Sequence, residues 1–347
     1  MNSGRAKPND RRVLIKSFAV TLILLLSIGV QTSWMKEVSN PSSQIVSSPV
    51  EEYAPSYGGS WLDPWEFRQR HTIQSSLGSD PIPDYQIHIT VHFGSGSSGA
   101  SEHVYLNGYC EPDFSDIRFT DDDGITLLDH WRESSVSGDY ATYWVEVKDD
   151  LGGGDQEVYI YYGNDQAATA SDGDATFPFF DDFSFLDVGK WAVTEYGAGT
   201  ETHSYDVSGG ELHVHAESNS VSSGYRFDTI QTFANTDFHL TIKGRWANLD
   251  WSRGGGNFQT LELIDAESQS TGIIVRLRGS NWLTTFRYLD GSWTDLYQPE
   301  YSAGNTEFNC FVSDSTSFDM ELTETLSLSY AGTVSGFHYP FSIRLWA

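Results

Sequence analysis

Apolar and polar residues alternate along most of the chain, and this period of two predicts β-strands. Successive side chains of a strand point to opposite faces, so a half-buried strand has an apolar residue at every second position. The segments DYQIHITVHFG, ATYWVEVK and QEVYIYYGN follow this pattern. Their apolar positions are Tyr85, Ile87, Ile89, Val91, Phe93, Tyr143, Val145, Val147, Val158, Ile160 and Tyr162. DIRFTDDDGITLL lies between them and predicts a hairpin turning at Asp122–Gly124, because Asp-Gly supplies the positive φ of tight turns.

The same alternation resumes in a second block that follows the flexible stretch AATASDGDATF. Strands recur there about every ten to fifteen residues, with turn residues between them, and no segment longer than a turn has a helical pattern. The inward positions are Leu212, Val214, Ala216, Phe238, Leu240, Ile242, Ile273, Val275 and Leu277. The sequence therefore predicts an all-β fold of two tandem β-sandwich, jelly-roll-like domains.

The first thirty residues differ from the rest and indicate export. Basic residues precede the uncharged apolar run Phe18–Val30, which is shorter than the about 20 residues of a full membrane span. Residues 1–30 are accordingly a signal peptide or a membrane anchor, and residues 31–60 a Ser- and Pro-rich tether. The two sandwiches then occupy residues 61–179 and 180–347, outside the cytoplasm and at the cell surface.

The C-terminus and the cysteines add two expectations about the fold. The last segment, YPFSIRLWA, alternates as a strand does, with Phe341, Ile343 and Leu345 on one face. Because a domain seldom ends within a strand, we expect a final strand to be missing or short, which leaves an open sheet edge. Cys110 and Cys310 lie in different predicted domains and form either one cross-domain bridge or two free buried thiols.

Strong acidity limits the possible partners. The chain has 48 acidic residues against 20 Lys and Arg, a formal net charge of −28. Such a surface repels nucleic acid and anionic lipid, so we expect no nucleic-acid partner and membrane contact only through the N-terminal segment. It is suited instead either to attracting divalent cations or to holding hydration in a salty medium, and the sequence does not separate these two interpretations.

Two stretches of the chain resemble known families. The first combines DYQIHI, FSDIRFTDDDGITLLDHW, TYWVEVK and VYIYYGN with an opening strand that contains Trp65 and Arg68. This combination, over residues 61–180, resembles a domain of unknown function common in archaeal and bacterial surface proteins. The second has the opening FDDFS and the hairpin LELIDAES with GIIVRLRG. It resembles the concanavalin-A-like lectin/glucanase superfamily without its usual last strand, which implies glycan binding and, in a minority of members, cleavage.

Residues for a glucanase reaction are poorly placed. Such a reaction needs two carboxylates about 5 Å apart on one face. ELIDAE is the candidate stretch, but period two points Glu262 to one face and Asp265 and Glu267 to the other. We therefore expect no enzymatic activity and no catalytic residues.

Aromatic residues in polar surroundings are the candidates for glycan binding, because a sugar ring stacks on an aromatic face while polar side chains bind its hydroxyls. Eleven Trp and eighteen Tyr are more than a sandwich needs for packing. The candidate carbohydrate-binding residues are Asp250, Trp251, Arg253, Asn257, Trp282, Arg287, Asp290 and Trp293.

Metal binding has two further candidates. Oxygen-rich loops suit calcium, and clusters of acids occur at Asp121–Asp123, at Asp172 and Asp174, and at Asp181 and Asp182. The resemblance to the lectin superfamily favours calcium at Asp181 and Asp182. His213 and His215 have a spacing that suits zinc or copper, but we expect both to be exposed, since Leu212, Val214 and Ala216 take the other face.

The favoured function is binding of a polysaccharide or glycan at the cell surface without catalysis, with the second domain as the binding domain. Two alternatives stay open. The sandwiches could be structural or adhesion components that pair a partner strand at the open C-terminal edge. The chain could also be a glycoside hydrolase or polysaccharide-cleaving enzyme that uses Glu262 or Glu267.

Overall fold

The structure is a computed structural model of the 347-residue chain. It describes residues 19–25, 51–53, 61–73, 83–98, 102–197, 202–217, 224–234, 238–246, 258–278, 283–290, 292–297, 304–312, 317–324, 328–333 and 339–346. In several strands, most of them in the second half, only the backbone is described.

The described chain is almost entirely β-structure, as the alternation predicts. The elements of the first half are β1 (Ala19–Leu25), β2 (Glu51–Tyr53), β3 (Phe67–Ile73), β4 (Tyr85–His92), β5 (His103–Tyr105), β6 (Arg118–Thr120), β7 (His130–Val136), β8 (Tyr140–Val147), β9 (Gln156–Tyr162) and the short helix α1 (Gly173–Thr176). The elements of the second half are β10 (Phe179–Asp181), β11 (Trp191–Tyr196), β12 (Thr202–Val207), β13 (Leu212–Glu217), β14 (Gly224–Thr229), β15 (Phe238–Trp246), β16 (Phe258–Asp265), β17 (Thr271–Arg278), β18 (Leu283–Asp290), β19 (Ser292–Tyr297), β20 (Gly304–Val312), β21 (Ser317–Glu324), β22 (Leu328–Thr333) and β23 (Phe341–Trp346).

Two four-stranded sheets form the first sandwich, in the orders β2-β3-β9-β6 and β5-β4-β8-β7. One core cluster contains Ile89 and Val145 from the second sheet together with Val158 and Ile160 from the first, so the sheets pack face to face. These four side chains are fully buried. The alternation predicted for β4, β8 and β9 is confirmed, because it sends the β-branched residues of each strand into this core.

A buried carboxylate joins distant parts of this sandwich. Asp116 is fully buried and accepts hydrogen bonds from the backbone N–H groups of Glu111 (3.0 Å), Gly163 (2.6 Å) and Asn164 (3.3 Å). Its own carbonyl accepts from the indole N–H of Trp65 at 2.6 Å. Burial raises the pKa of the Asp116 carboxyl, while the three N–H donors act in the opposite direction. The carboxylate thus satisfies backbone donors from two loops that regular sheet pairing leaves without partners.

Two larger sheets form the second block. A six-stranded sheet has the order β10-β1-β15-β20-β21-β22, and a seven-stranded sheet the order β11-β14-β23-β16-β17-β18-β19. Phe233 contacts Phe179 of the six-stranded sheet and Phe341 of the seven-stranded sheet, with ring centroids 5.6 and 5.3 Å apart. β12 and β13 pair as a separate hairpin.

The first and the last strand that the structure describes both lie inside these sheets. The expectation of an open edge at the C-terminal strand is wrong, because β23 pairs with β14 on one side and with β16 on the other. Strand order is set by pairing between distant segments, which the local pattern of YPFSIRLWA does not encode. Ala19–Leu25, within the predicted leader, forms β1 between β10 and β15. Short apolar runs fit a buried strand as well as a leader, and export stays a prediction.

Among the described residues, no helix has the length and apolar character needed to cross a membrane. Cys110 is a free, buried thiol, as expected if the two cysteines do not form a cross-domain bridge. The side chain of Cys310 lies outside the described residues.

We predict that Asp116→Ala lowers the free energy of unfolding by about 3 kcal/mol or more, because three N–H groups lose a charged acceptor. The measurement is urea unfolding followed by tryptophan fluorescence. Asp113→Ala is the matched control, since Asp113 is exposed and accepts from the N–H of Ser115 at 3.0 Å. Its loss should cost less than about 1 kcal/mol. Equal effects of the two substitutions would contradict the role given to Asp116.

Candidate functional site

A surface cleft of about 400 Å³ lies where the segment 171–190 folds over one edge of the first sandwich. β7 forms one wall, and α1, β10 and the turn after β10 form the others. The lining residues are Trp131, Arg132, Ser171, Asp172, Gly173, Asp174, Phe180, Asp181, Asp182, Ser184, Phe185, Asp187 and Lys190. Aromatic rings, five carboxylates and two cationic groups therefore share one concave surface.

Aromatic packing holds the segment against the sheet. Phe177 and Phe180 form a small core with Trp131 of β7 and Trp144 of β8. The ring of Phe180 lies 4.7 Å from that of Trp131, and Phe177 lies 5.9 Å from Trp144, both nearly edge to face. A Cβ atom at Gly173 would collide with the ring of Phe180, so only glycine allows this close approach. The wall of the cleft is therefore a packed surface rather than a loose loop.

A buried carboxylate fixes the floor of the cleft. Asp181 is 4% exposed and accepts hydrogen bonds from the N–H of Phe183 at 2.8 Å and from the indole N–H of Trp191 at 2.6 Å. Burial raises the pKa of this carboxyl, and the two donors oppose that effect. Trp191, the first residue of β11, is itself buried against Phe183 and Phe179. Asp181 therefore connects β10 to the start of the seven-stranded sheet.

The other four carboxylates of the cleft lie nearer to solvent and stabilise its turns. Asp172 caps α1 by accepting from the N–H of Ala175 at 3.0 Å. Asp182 accepts from the N–H of Ser184 at 2.9 Å, and Asp187 from the N–H of Gly189 at 2.7 Å. The remaining carboxylate, at position 174, pairs with the ammonium group of the lysine at position 190. One oxygen of each carboxylate engages such a donor.

The turn after β10 carries two exposed apolar side chains, of which Phe185 lines the cleft. Phe185 is 65% exposed and Val188 is 75% exposed, both in the turn after β10. An exposed aromatic ring beside several carboxylates is unusual for a turn that serves only to connect strands, and it is the arrangement that sugar rings and their hydroxyls require.

The predicted carbohydrate-binding residues lie elsewhere. Asp250, Trp251, Arg253, Asn257 and Trp282 lie outside the described residues. For Arg287 and Asp290 of β18 and Trp293 of β19, the structure describes the backbone alone. Arg287 pairs with Ile274 of β17, which pairs with Glu262 of β16, so these three positions share one row across the seven-stranded sheet. Binding at these eight residues stays a prediction.

The predicted metal ligands have known positions. Asp181 and Asp182 both line the cleft, one buried and one half-buried, and calcium at this pair stays a prediction. In the first sandwich, the carboxylates of Asp121, Asp122 and Asp149 have oxygens within 4.8 Å of one another. The expectation that His213 is exposed is wrong, because its side chain is half-buried. Its ring lies against the β12–β13 turn, with Nε2 3.1 Å from the carbonyl oxygen of Ser208. The side chain of His215 lies outside the described residues.

The candidate catalytic acids take different positions. Glu262 is 7% exposed, and its Oε2 lies 3.5 Å from Nη1 of Arg344, which also pairs with Asp228. Asp265 is buried and accepts from the N–H groups of Glu267 (2.8 Å) and Ser268 (3.1 Å). Glu267 is exposed in the turn after β16. The carboxylates at positions 262 and 265 thus have partners within the protein, and that at 267 lies apart from both in solvent.

The cleft itself was not predicted from the sequence. Its residues come from two segments about forty positions apart, and the alternation within β7 does not indicate that the second segment covers it. One local signal was present. The run FPFFDDFSF concentrates aromatic and acidic residues directly after a Gly- and Ala-containing stretch, which is more than a linker between domains needs.

Comparison with known proteins finds a similarity in this region. Residues 113–194 match the family model of a domain of unknown function, DUF2341. The match confirms the resemblance given for the first block over these residues. It also extends past the predicted boundary at residue 179 into β11, and it contains every residue of the cleft. No curated protein and no solved structure matches the chain.

We predict that the charge of Glu262 destabilises the fold at neutral pH. Burial raises its pKa from 4.5 to about 6, with Arg344 opposing the shift. Because the unfolded chain keeps the ordinary pKa, ionisation costs the folded state more, and stability falls as the pH rises from about 4.5 to about 6. The shift corresponds to about 2 kcal/mol.

Glu262→Gln isolates this effect, because glutamine has the same shape and does not titrate in this range. Urea unfolding of both proteins, measured from pH ~4 to pH ~7, should show wild type losing about 2 kcal/mol relative to the variant. A difference that does not change with pH would show that Arg344 offsets burial, and a change in the opposite direction would show that Arg344 outweighs it.

Proposed function

We propose that the chain is a cell-surface protein that binds carbohydrate without catalysis, and that the cleft of residues 131–190 is a binding site. The observation that carries the proposal is the shared surface of aromatic rings and carboxylates in a concavity of about 400 Å³. Pockets of this size accommodate small ligands, and a sugar needs an apolar ring for its face and fixed polar groups for its hydroxyls. The exposed ring of Phe185 supplies the first, and Asp182, Asp187, Arg132 and Lys190 supply the second.

Two features support binding rather than cleavage. A glycosidase needs a protonated acid and a second carboxylate across the scissile bond. Both oxygens of Asp181, the buried acid of the cleft, already accept hydrogen bonds. Glu262 and Asp265, the acids considered from the sequence, have partners inside the second block.

The resemblance of the second block to concanavalin-A-like lectins adds a second proposed carbohydrate-binding surface, around Trp251 and Trp293. Under this proposal both blocks contact the same polysaccharide. Calcium bound at Asp181 and Asp182 orders the cleft. Export by the N-terminal segment places the protein where such polymers occur. The acidic surface favours neutral or cationic glycans over polyanionic ones, because like charges repel.

A glycan array with the full chain, in calcium and in EDTA, tests the function, and calorimetry with the best glycan tests the site. We expect Phe185→Ala to weaken binding at least about fivefold, because the stacking contact is lost. Ile230→Ala is the matched control, since Ile230 is 53% exposed and lies outside the cleft lining. It should bind as wild type does.

Other results would contradict the proposal at different points. Binding that is lost in Trp251→Ala and kept in Phe185→Ala would move the site to the second block. Release of reducing ends by the wild-type chain would make it an enzyme. An array without any bound glycan would remove carbohydrate binding altogether.

A further inference from the structure

Imidazoles and carboxylates gather on the outward face of the sheet β5-β4-β8-β7, apart from the cleft. We call this group the histidine face. Its members are His88 and His92 of β4, Glu102 and His103 at the start of β5, and Glu133 of β7. Their side chains are half-buried or, for His103, 44% exposed. None of them lines the cleft, and neither the sequence patterns nor the family match assigns them a role.

Strand register brings these residues together. β4 and β5 are parallel, and His103 lies opposite Thr90. Because His88 and His92 are two residues to either side of Thr90, the imidazole of His103 lies between the other two along the sheet. The N–H of Thr90 donates to the carbonyl oxygen of Glu102 at 2.9 Å, which fixes the backbone of Glu102 beside β4.

Two imidazole nitrogens approach one carboxylate. Nδ1 of His88 lies 3.6 Å from Oε2 of Glu102, and Nε2 of His103 lies 4.0 Å from Oε1 of the same side chain. Both distances exceed those of a hydrogen bond. They are close to the about 3.3 Å that separates neighbouring ligand atoms when each is about 2.0–2.1 Å from a tetrahedral zinc ion. Binding of one ion by both imidazoles therefore requires His103, the most exposed member of the group, to rotate towards Glu102.

The second nitrogen of each imidazole also has an acceptor nearby. Nδ1 of His103 lies 3.0 Å from Nε2 of His92, whose ring stacks on Tyr105 at 4.4 Å. Nε2 of His88 lies 4.0 Å from Oε2 of Glu133. Such outer acceptors set the tautomer of a metal-binding histidine by taking the proton of the nitrogen that does not bind the ion. The 3.0 Å contact with His92 is short enough to fix the tautomer of His103, whereas a hydrogen bond from His88 to Glu133 requires a small movement of either side chain.

One of these nitrogens lacks a partner. Nδ1 of His88 is enclosed by protein and makes no hydrogen bond to any residue that the structure describes. An enclosed polar atom without a hydrogen bond costs free energy.

We propose that His88, Glu102 and His103 bind one divalent transition-metal ion of the zinc type, with His92 and Glu133 as outer partners that orient the two imidazoles. Two nitrogen ligands and one carboxylate favour zinc, copper or nickel over calcium, which prefers six to eight oxygens. Water completes the coordination on the solvent side. The net charge of −28 raises the local concentration of any cation. This site is independent of carbohydrate binding and of the acidic groups considered for calcium.

Calorimetric titration of the metal-stripped full chain with zinc chloride tests the proposal. We expect one zinc ion bound at the histidine face, and an affinity at least tenfold lower in His103→Ala. Glu102→Gln preserves the shape of the side chain and removes its charge, so it should give a similar loss even if the alanine variant folds poorly. His213→Ala is the matched control, because His213 is a half-buried histidine on a strand of the second block with a carboxylate 3.5 Å away. It should leave this affinity unchanged.

Nuclear magnetic resonance of the imidazole nitrogens gives an independent readout. Zinc should shift the signals of His88 and His103 and leave that of His213 in place. If the three residues form an ordinary ion-pair network instead, zinc will not bind at the histidine face, and those signals will not move. Zinc affinity that is equal in wild type and in Glu102→Gln, or that is lost in His213→Ala, would likewise overturn the proposal.

Discussion

A strand that is buried on one side must direct every second residue to the other side, and β4 shows how much follows from this constraint. Ile87, Ile89 and Val91 are almost fully buried in the first sandwich. His88 and His92 are therefore forced onto the outward face, whatever their own preference for water or burial. A shift of one residue in the register would exchange the two sets and bury both imidazoles. The position of the histidine face thus depends on the same aliphatic packing that stabilises the domain.

The outward face of that sheet is divided into two parts. Trp131 and Trp144 lie under Phe177 and Phe180, so this half is covered and becomes a wall of the cleft. The half near His92 has no such cover among the described residues. The connecting segment 171–190 therefore has three tasks: it covers part of one sheet, lines the cleft and supplies β10 to the second block. The family match covers the whole of this segment and ends just after it, at residue 194.

The sequence predicted local features well and distant pairings poorly. Alternation within β8 and β9 identified Tyr143, Val145 and Ile160 as core residues, because the period of two is a property of each strand alone. The interior position of β23 was missed, since it depends on pairing with strands about 80 to 120 residues away. The same reason explains why Arg344 was not recognised as the partner of Glu262. The sequence predicted that Glu262 and Asp265 point in opposite directions, and both side chains are buried in the structure, Glu262 beside a distant cation that the local pattern does not indicate.

The thiol of Cys110 offers a consequence of a different kind. It is 5% exposed, and burial raises its pKa to about 12, so an alkylating reagent in solution meets neither an accessible nor an ionised sulfur. Modification must wait for the first sandwich to open. The rate of labelling at this one position therefore reports how often that domain opens, separately from the second block, once peptide mapping distinguishes Cys110 from Cys310. Labelling of Cys110 therefore measures the opening of the domain that holds the histidine face and one wall of the cleft.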